Sequence, residues 1–381
     1  MAYGKDQYRA VVRVVHFTLL FSVACTHAEV KKPEGPLNAS DLQRAVELAP
    51  EEQKGAMRQL ISGMPERDQQ TLKADYLLRN VSLAFEAKAK APWGGKIPED
   101  IFINYVLPYS AIGEDVDDWR ADFRARFLPV IDGIKKSGEA AHKINTVLWK
   151  MLDVVYSPKR DKPDQSPYHS MRIKMASCTG LSILLVDACR AVGIPARLAG
   201  CLWANKPGNH AWVEVWQEGV WYHLGAFDGA GLNNAWFNSD VIYNKPNDPR
   251  YSIFAYAWLP SEGATMKSVT SGRNTPRPAI DVTQRYLDLY LKTQECRILV
   301  VVRDAAGKRK IREVFLVQGD TSVASGKTYD DTQDLNSHFS FVAPEGTVAK
   351  IQTRHADGSI IDVRDVTFGK GTPQLCVIVE K

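Results

Sequence analysis

The sequence has no basic cluster. Its formal net charge over 381 residues is only +4, and no stripe of arginine interleaved with aromatics offers a track for a phosphate backbone, so nucleic acid is not an expected partner. It has no evident internal repeat and no low-complexity tract. Cysteine is scarce, six residues in all, with no CxxC, and no two Cys or His residues stand at ligand spacing. Zinc is therefore not expected. Hydrophobic residues at 45% and charged residues at 24% are the proportions of a soluble globular chain rather than a disordered one. The length exceeds one ordinary core and implies two or three domains.

The N-terminus carries more information. Lys5, Arg9 and Arg13 precede the apolar run Val14–Ala24, which is too short to span a bilayer but suits a secretory signal within residues 1–28. Two cleavage readings compete. Ser22-Val23-Ala24-Cys25 is similar to a lipoprotein box, with serine where leucine is usual, and predicts a lipid anchor at Cys25. The other is cleavage after Thr26-His27-Ala28. Either predicts export, to the periplasm or to the outer membrane and cell surface. Five further cysteines then enter a disulfide-permissive setting, and five is odd. Cys189 lies about three helical turns beyond Cys178, roughly 16 Å at about 1.5 Å per residue, too far for a bridge.

Residues 29–37 read as a tether. Residues 38–143 are mostly helical, with a capping box expected at Ser40 and Gln43 and helices expected near 51–62, 66–90, 117–133 and 138–153. Residues 92–112 form a Pro/Gly-punctuated, aromatic-rich connection. From 144 to 260 the pattern becomes mixed: a helix over 178–192, then strands at Arg197–Trp203, His210–Trp216 and Val220–Ala226. Gln217-Glu218-Gly219 is a tight connection that makes an antiparallel hairpin of the last two. Residues 261–280 have linker composition. Over 281–381 short alternating runs predict a small antiparallel β-sandwich.

Chemistry concentrates around Cys178. Leu181, Leu184, Leu185, Ala188 and Val192 recur at helical spacing, with Gly193 and Pro195 as the stop. Ser177 is the expected cap, so Cys178 falls in the first turn, where free amides and the helix dipole lower a thiol pKa. That position alone leaves a reactive thiol and a packed one equally weighted. His210 opens a strand whose alternation sets His210, Trp212, Glu214 and Trp216 on one face. The following strand ends near Asp228, an acid within reach of an imidazole, although Asp228-Gly229 is also ordinary turn chemistry. Ser325-Gly326-Lys327-Thr328 lacks the first glycine of a phosphate loop, and Asp115-Val116-Asp117-Asp118 lacks the glycine and glutamate of a calcium loop.

Taken together, ASCTGLSILLVDACRAVGIPAR, NHAWVEVW and GVWYHLGAFDGAGLNNAWF resemble the core of the transglutaminase-like superfamily. Residues 98–120 resemble the segment that precedes this core in exported bacterial members, and the last hundred residues resemble prealbumin-like, carboxypeptidase-regulatory modules. The resemblance implies an α+β fold with a papain-like core, preceded by a helical segment and followed by the β-sandwich. It implies Cys178 as nucleophile, His210 as general base and acid, and Asp228 as the orienting residue. Many members place the acid four residues after the strand tryptophan, where this chain has Gly225; Asn233 and Asn234 are the alternatives to Asp228. The function implied is a thiol enzyme that cleaves or transfers amide acyl groups through a thioester, without metal or cofactor, on peptide or protein substrates of the cell envelope. Hydrolysis is favoured over protein-glutamine transglutamination, and the rival of another class is a non-catalytic binding or scaffold protein. No oligomeric state is implied.

Overall fold

Apolar residues at three- and four-residue intervals build a helical N-terminal half. The computed structural model describes residues 38–267, 276–290, 296–355, 358–369 and 374–380; the signal, the tether and Cys25 lie outside them. The helices are α1 (Ala39–Leu48), α2 (Glu51–Ser62), α3 (Glu66–Thr71), α4 (Ala74–Lys90), α5 (Glu99–Tyr105), α6 (Arg120–Phe127), α7 (Ser137–Leu152), α8 (Pro167–Ile173), α9 (Cys178–Ala191), α10 (Asn238–Val241) and α11 (Thr283–Tyr290). The helix expected over 66–90 is broken at Leu72 and Lys73. Helix α1 stabilises the break: Asn38 Nδ2 donates to the Leu72 carbonyl at 2.8 Å, and Asp41 accepts from the Ala74 amide at 3.3 Å. No capping box forms at Ser40, which lies inside α1, and Gln43 donates to Glu47 instead.

The strands are β1 (Val155–Tyr156), β2 (Met175–Ala176), β3 (Ala196–Leu202), β4 (Asn209–Gln217), β5 (Val220–Leu224), β6 (Phe254–Tyr256), β7 (Thr265–Lys267), β8 (Arg277–Asp281), β9 (Cys296–Arg303), β10 (Glu313–Gln318), β11 (Thr321–Lys327), β12 (Phe339–Ala343), β13 (Val348–Arg354), β14 (Ile360–Thr367) and β15 (Gln374–Val379). Six of them form the central sheet in the order β5-β4-β3-β6-β8-β7, every pair antiparallel. Helix α9 is buried against β3 and β4 through Leu181, Leu184, Leu185 and Ala188, and α4, α6 and α7 pack around it. The β4–β5 hairpin turns on Glu218 and Gly219, both at positive φ (49° and 90°), as the two-residue connection requires.

The segment that reads as a linker is partly structural. Its ends supply β7 and β8 to the central sheet, where Arg277, Pro278 and Ala279 are all buried. Helix α11 also packs on the core, so the C-terminal sheets begin only at β9. These are a four-stranded sheet, β11-β10-β13-β14, and a three-stranded one, β12-β9-β15. Ile298 and Val300 of one meet Val314, Leu316 and Ile351 of the other in one hydrophobic cluster. The expectation of purely antiparallel pairing is corrected at β15. That strand arrives from the other sheet and runs parallel to β9. Among the described residues all five cysteines are free thiols.

Candidate active site

Ser177 determines where Cys178 sits. Its backbone is extended and its hydroxyl accepts from the Gly180 amide at 3.4 Å, while its carbonyl accepts from Leu181, so α9 begins at the cysteine. The same hydroxyl donates to the Pro163 carbonyl at 2.9 Å and ties the cap to the preceding loop. Cys178 is half-buried, whereas the helix from Thr179 onward is buried. Burial pushes the Cys178 thiol up to about 12, the Asp334 carboxylate adds to the rise, and the Ala211 and Thr179 amides oppose it only in part. The expectation of a lowered thiol pKa is thus corrected. Desolvation outweighs the helix end here.

His210 stands on β4 opposite Cys201 in the β3 register. Its imidazole is walled by Trp236 and Phe237, with ring centroids at 4.7 and 5.0 Å, and by Trp212 and Trp203 at 5.9 and 6.0 Å. The residue is 5% exposed, and neither ring nitrogen has a hydrogen-bond partner among the described residues. Burial holds the imidazole pKa below the usual value, against a partial upward pull from Asp334. The wall itself is braced from behind. Trp212 Nε1 donates to the Tyr286 hydroxyl at 2.7 Å, and that hydroxyl donates to Glu214 at 2.5 Å. Glu214 is buried and paired with Arg197 and Arg285. Helix α11 therefore positions the tryptophan that stacks on His210.

The structure brings Cys178 and His210 together and adds a third residue, Asp334. One ligand atom from each, sulfur, ring nitrogen and carboxylate oxygen, lies within 4.8 Å of the others. Asp334 Oδ2 is 3.5 Å from His210 Nδ1, longer than a hydrogen bond of normal length. Asp334 belongs to the loop between β11 and β12, which is fixed to the core by Leu335 N–H to the Tyr156 hydroxyl (3.1 Å) and Asn336 Nδ2 to the Asn209 carbonyl (2.9 Å). Nothing in the sequence marks this aspartate, because it lies among ordinary polar loop residues of a different segment. The lack of local ligand spacing likewise says nothing about donors that meet only in space.

Asp228 is placed differently. Strand β5 ends at Leu224, and the turn after it folds the Asp228 carboxylate back over Gly225, where any Cβ would lie 1.8 Å from Oδ2. That close approach accounts for glycine at the position. Asn145 pins the turn through the Gly225 carbonyl and the Phe227 amide. Asp228 Oδ1 accepts from Ala230, Oδ2 is buried without a hydrogen-bond partner among the described residues, and burial raises the carboxyl to about 7. No bond to His210 is made. Asn233 is committed to His223 and its carbonyl to Tyr290 and Asn238, and Asn234 makes no bond to His210 either. Beside His210 a cavity of about 300 Å³ opens, lined by Thr179, Ala211, Phe254 and Tyr256 and edged by Arg250 and Lys267.

Residues 127–226 match the family model described as the transglutaminase-like superfamily, a span that contains Cys178 and His210 and ends before Asp228. These residues form a transglutaminase-like domain. Among solved structures the chain is similar to a candidate cysteine protease from Cytophaga hutchinsonii (18% identity, TM-score 0.26, 46% of this chain and 50% of that one). It is also similar to a candidate protease from Parabacteroides distasonis (11% identity, TM-score 0.26, 77% of this chain and 54% of that one). The chain thus spans about half the length of each. No curated protein matches the sequence.

Proposed function

We propose that this protein is a cysteine-dependent acyl-transfer enzyme acting on peptide or protein amides, with Cys178 as nucleophile and His210 as base and acid. The observation that carries the reading is the convergence of Cys178, at the start of α9, and a buried, unbonded His210 within 4.8 Å, inside a transglutaminase-like domain. With the thiol raised and the imidazole lowered, the resting pair is neutral. His210 therefore takes the thiol proton as sulfur attacks the carbonyl, rather than facing a preformed thiolate. The imidazolium then protonates the departing amine, leaving a thioester. Water, activated by the same imidazole, releases the acid and restores the thiol; an amine in its place gives transfer. The Cys178 amide at the helix start faces the developing oxyanion. The cavity bordered by Thr179 and His210 seats the acyl side of the substrate.

Hydrolysis is the favoured outcome because water is always present, and transglutamination is the alternative. The basic N-terminal segment and Cys25 support an exported, lipid-tethered enzyme working on cell-envelope proteins. A binding or scaffold role is the second reading, favoured by the raised Cys178 thiol and the absence of a sulfur–imidazole hydrogen bond. Incubation with a glutamine-containing peptide, with and without added amine, separates these. Ammonia or cleaved peptide from the wild type, and none from Cys178→Ala or His210→Ala, is expected. Equal product from the wild type and Cys178→Ala overturns the assignment of the nucleophile, and no product with any amide favours the scaffold.

A further inference from the structure

In a proton relay, thiol and acid occupy opposite ends of the imidazole. Two hydrogen bonds and the breadth of the ring then separate sulfur and carboxylate by roughly 7 Å. Asp334 does not sit that way. Its oxygen lies within 4.8 Å of the sulfur as well as of the imidazole, so the three groups converge on one point instead of standing in line. The imidazole is 5% exposed and both of its nitrogens lack hydrogen-bond partners among the described residues.

We propose that Cys178, His210 and Asp334 form a three-ligand site for a thiophilic divalent cation, with Zn²⁺ the ion of best fit. One sulfur, one imidazole nitrogen and one carboxylate oxygen are the donors zinc accepts, at about 2.3, 2.0 and 2.1 Å. Tetrahedral angles at those lengths put ligand atoms about 3.3–3.8 Å apart, so the closure needed from 4.8 Å is about 1 Å, within the reach of side-chain rotation. Charge also balances. A thiolate, a carboxylate and a neutral imidazole cancel a dication, which suits a cage of Trp203, Trp212, Trp236 and Phe237. On binding, the thiol proton leaves to solvent and the sulfur–metal bond replaces it. Lys206, whose charge acts on His210, is already paired with Asp240 at 2.8 Å.

The donors come from α9, β4 and the β11–β12 loop, so a bound ion fastens the C-terminal module to the core and withdraws the sulfur from reaction. That silencing rests on the reading of Cys178 as nucleophile; the binding itself does not. The test uses the full chain freed of metal by dialysis against a chelator, then titrated with Zn²⁺ and separately with Co²⁺. One equivalent of zinc per chain is expected to remain after gel filtration. Cobalt is expected to give intense tetrahedral visible bands and a sulfur-to-metal band in the near ultraviolet. Asp334→Asn should weaken zinc by roughly tenfold or more, and Cys178→Ser should erase the near-ultraviolet band, with folding checked by circular dichroism. Zinc that fails to bind, or binds equally to wild type, Asp334→Asn and Cys178→Ser, overturns the site. Zinc bound as expected by a chain that never turns over an amide upholds the site and sinks the enzyme reading. Turnover without zinc binding does the reverse.

Discussion

Arg309 holds the loop that delivers Asp334. Its guanidinium is buried and donates through Nη1 to the carbonyls of Asp334 (3.1 Å) and Ser337 (2.9 Å), through Nη2 to Gln333 (2.6 Å) and Asp330 (2.5 Å), and through Nε to the Asp331 carboxylate (3.2 Å). Replacing it with methionine keeps the stem and removes every donor. The Ser337 carbonyl bond is fully buried, and leaving that group unpaired costs about 1–3 kcal/mol. The other acceptors are half-buried and recover water, so a simple sum over five bonds overstates the loss; about 3 kcal/mol in all is expected. Arg309→Lys keeps the charge but not the fork, and falls between the two. The assay is hydrogen exchange over residues 330–337 together with urea unfolding. Protection of those amides should collapse in Arg309→Met, and iodoacetamide should reach Cys178 faster once the Asp334 carboxylate leaves the sulfur. A loss under about 1 kcal/mol, with exchange and labelling unchanged, would refute the claim that this arginine builds the loop.

Other outcomes follow from the buried titrating groups. His223 Nε2 donates to Asn238 Oδ1 (2.9 Å), and burial lowers its pKa from 6.5 to about 4. Its folded value lies below the unfolded one, so its contribution is complete above pH 6.5 and is lost as pH falls toward 4. The loss is about 3 kcal/mol, and it should vanish from the pH slope of urea unfolding in His223→Gln. Asp228 has the opposite sign. Burial raises its folded value from 3.8 to about 7, so its contribution is full below pH 3.8 and lost as pH rises through 7. Asp228→Asn should therefore raise the unfolding free energy from urea titration at pH 8 relative to wild type, by up to about 4 kcal/mol, and far less at pH 4. An unchanged difference between those two pH values would count against a protonated, buried carboxyl.

Sequence and structure agree where the signal is local. The stripe from Leu181 to Val192, the Ser177 cap and the Glu218-Gly219 turn each rest on residues a few positions apart, and the helix and hairpin appear within a residue or two of their expected ends. The break at Leu72 was hidden because its partners, Asn38 and Asp41, lie at the start of another helix, more than thirty positions away. Burial was hidden for the same reason. The first-turn position of Cys178 is local and argues for a low thiol pKa, whereas the reversal comes from burial in the folded chain, with the carboxylate of the distant Asp334 adding to it. The β8 residues Arg277 and Ala279 sit among Ser, Thr, Gly and Pro, so their composition spoke of a linker, while pairing with the sequence-distant β6 and with β7 places them in a sheet.

The Asp334 loop has a consequence for how such a chain diversifies. The matched domain ends at residue 226, yet a group within reach of its sulfur is carried more than a hundred positions later, in a module with its own hydrophobic cluster. Recombination that exchanged the C-terminal module for another would leave the thiol and imidazole intact and change what faces them. Selection on that appended piece is then selection on the chemistry of the centre, and the two parts are inherited as a matched pair.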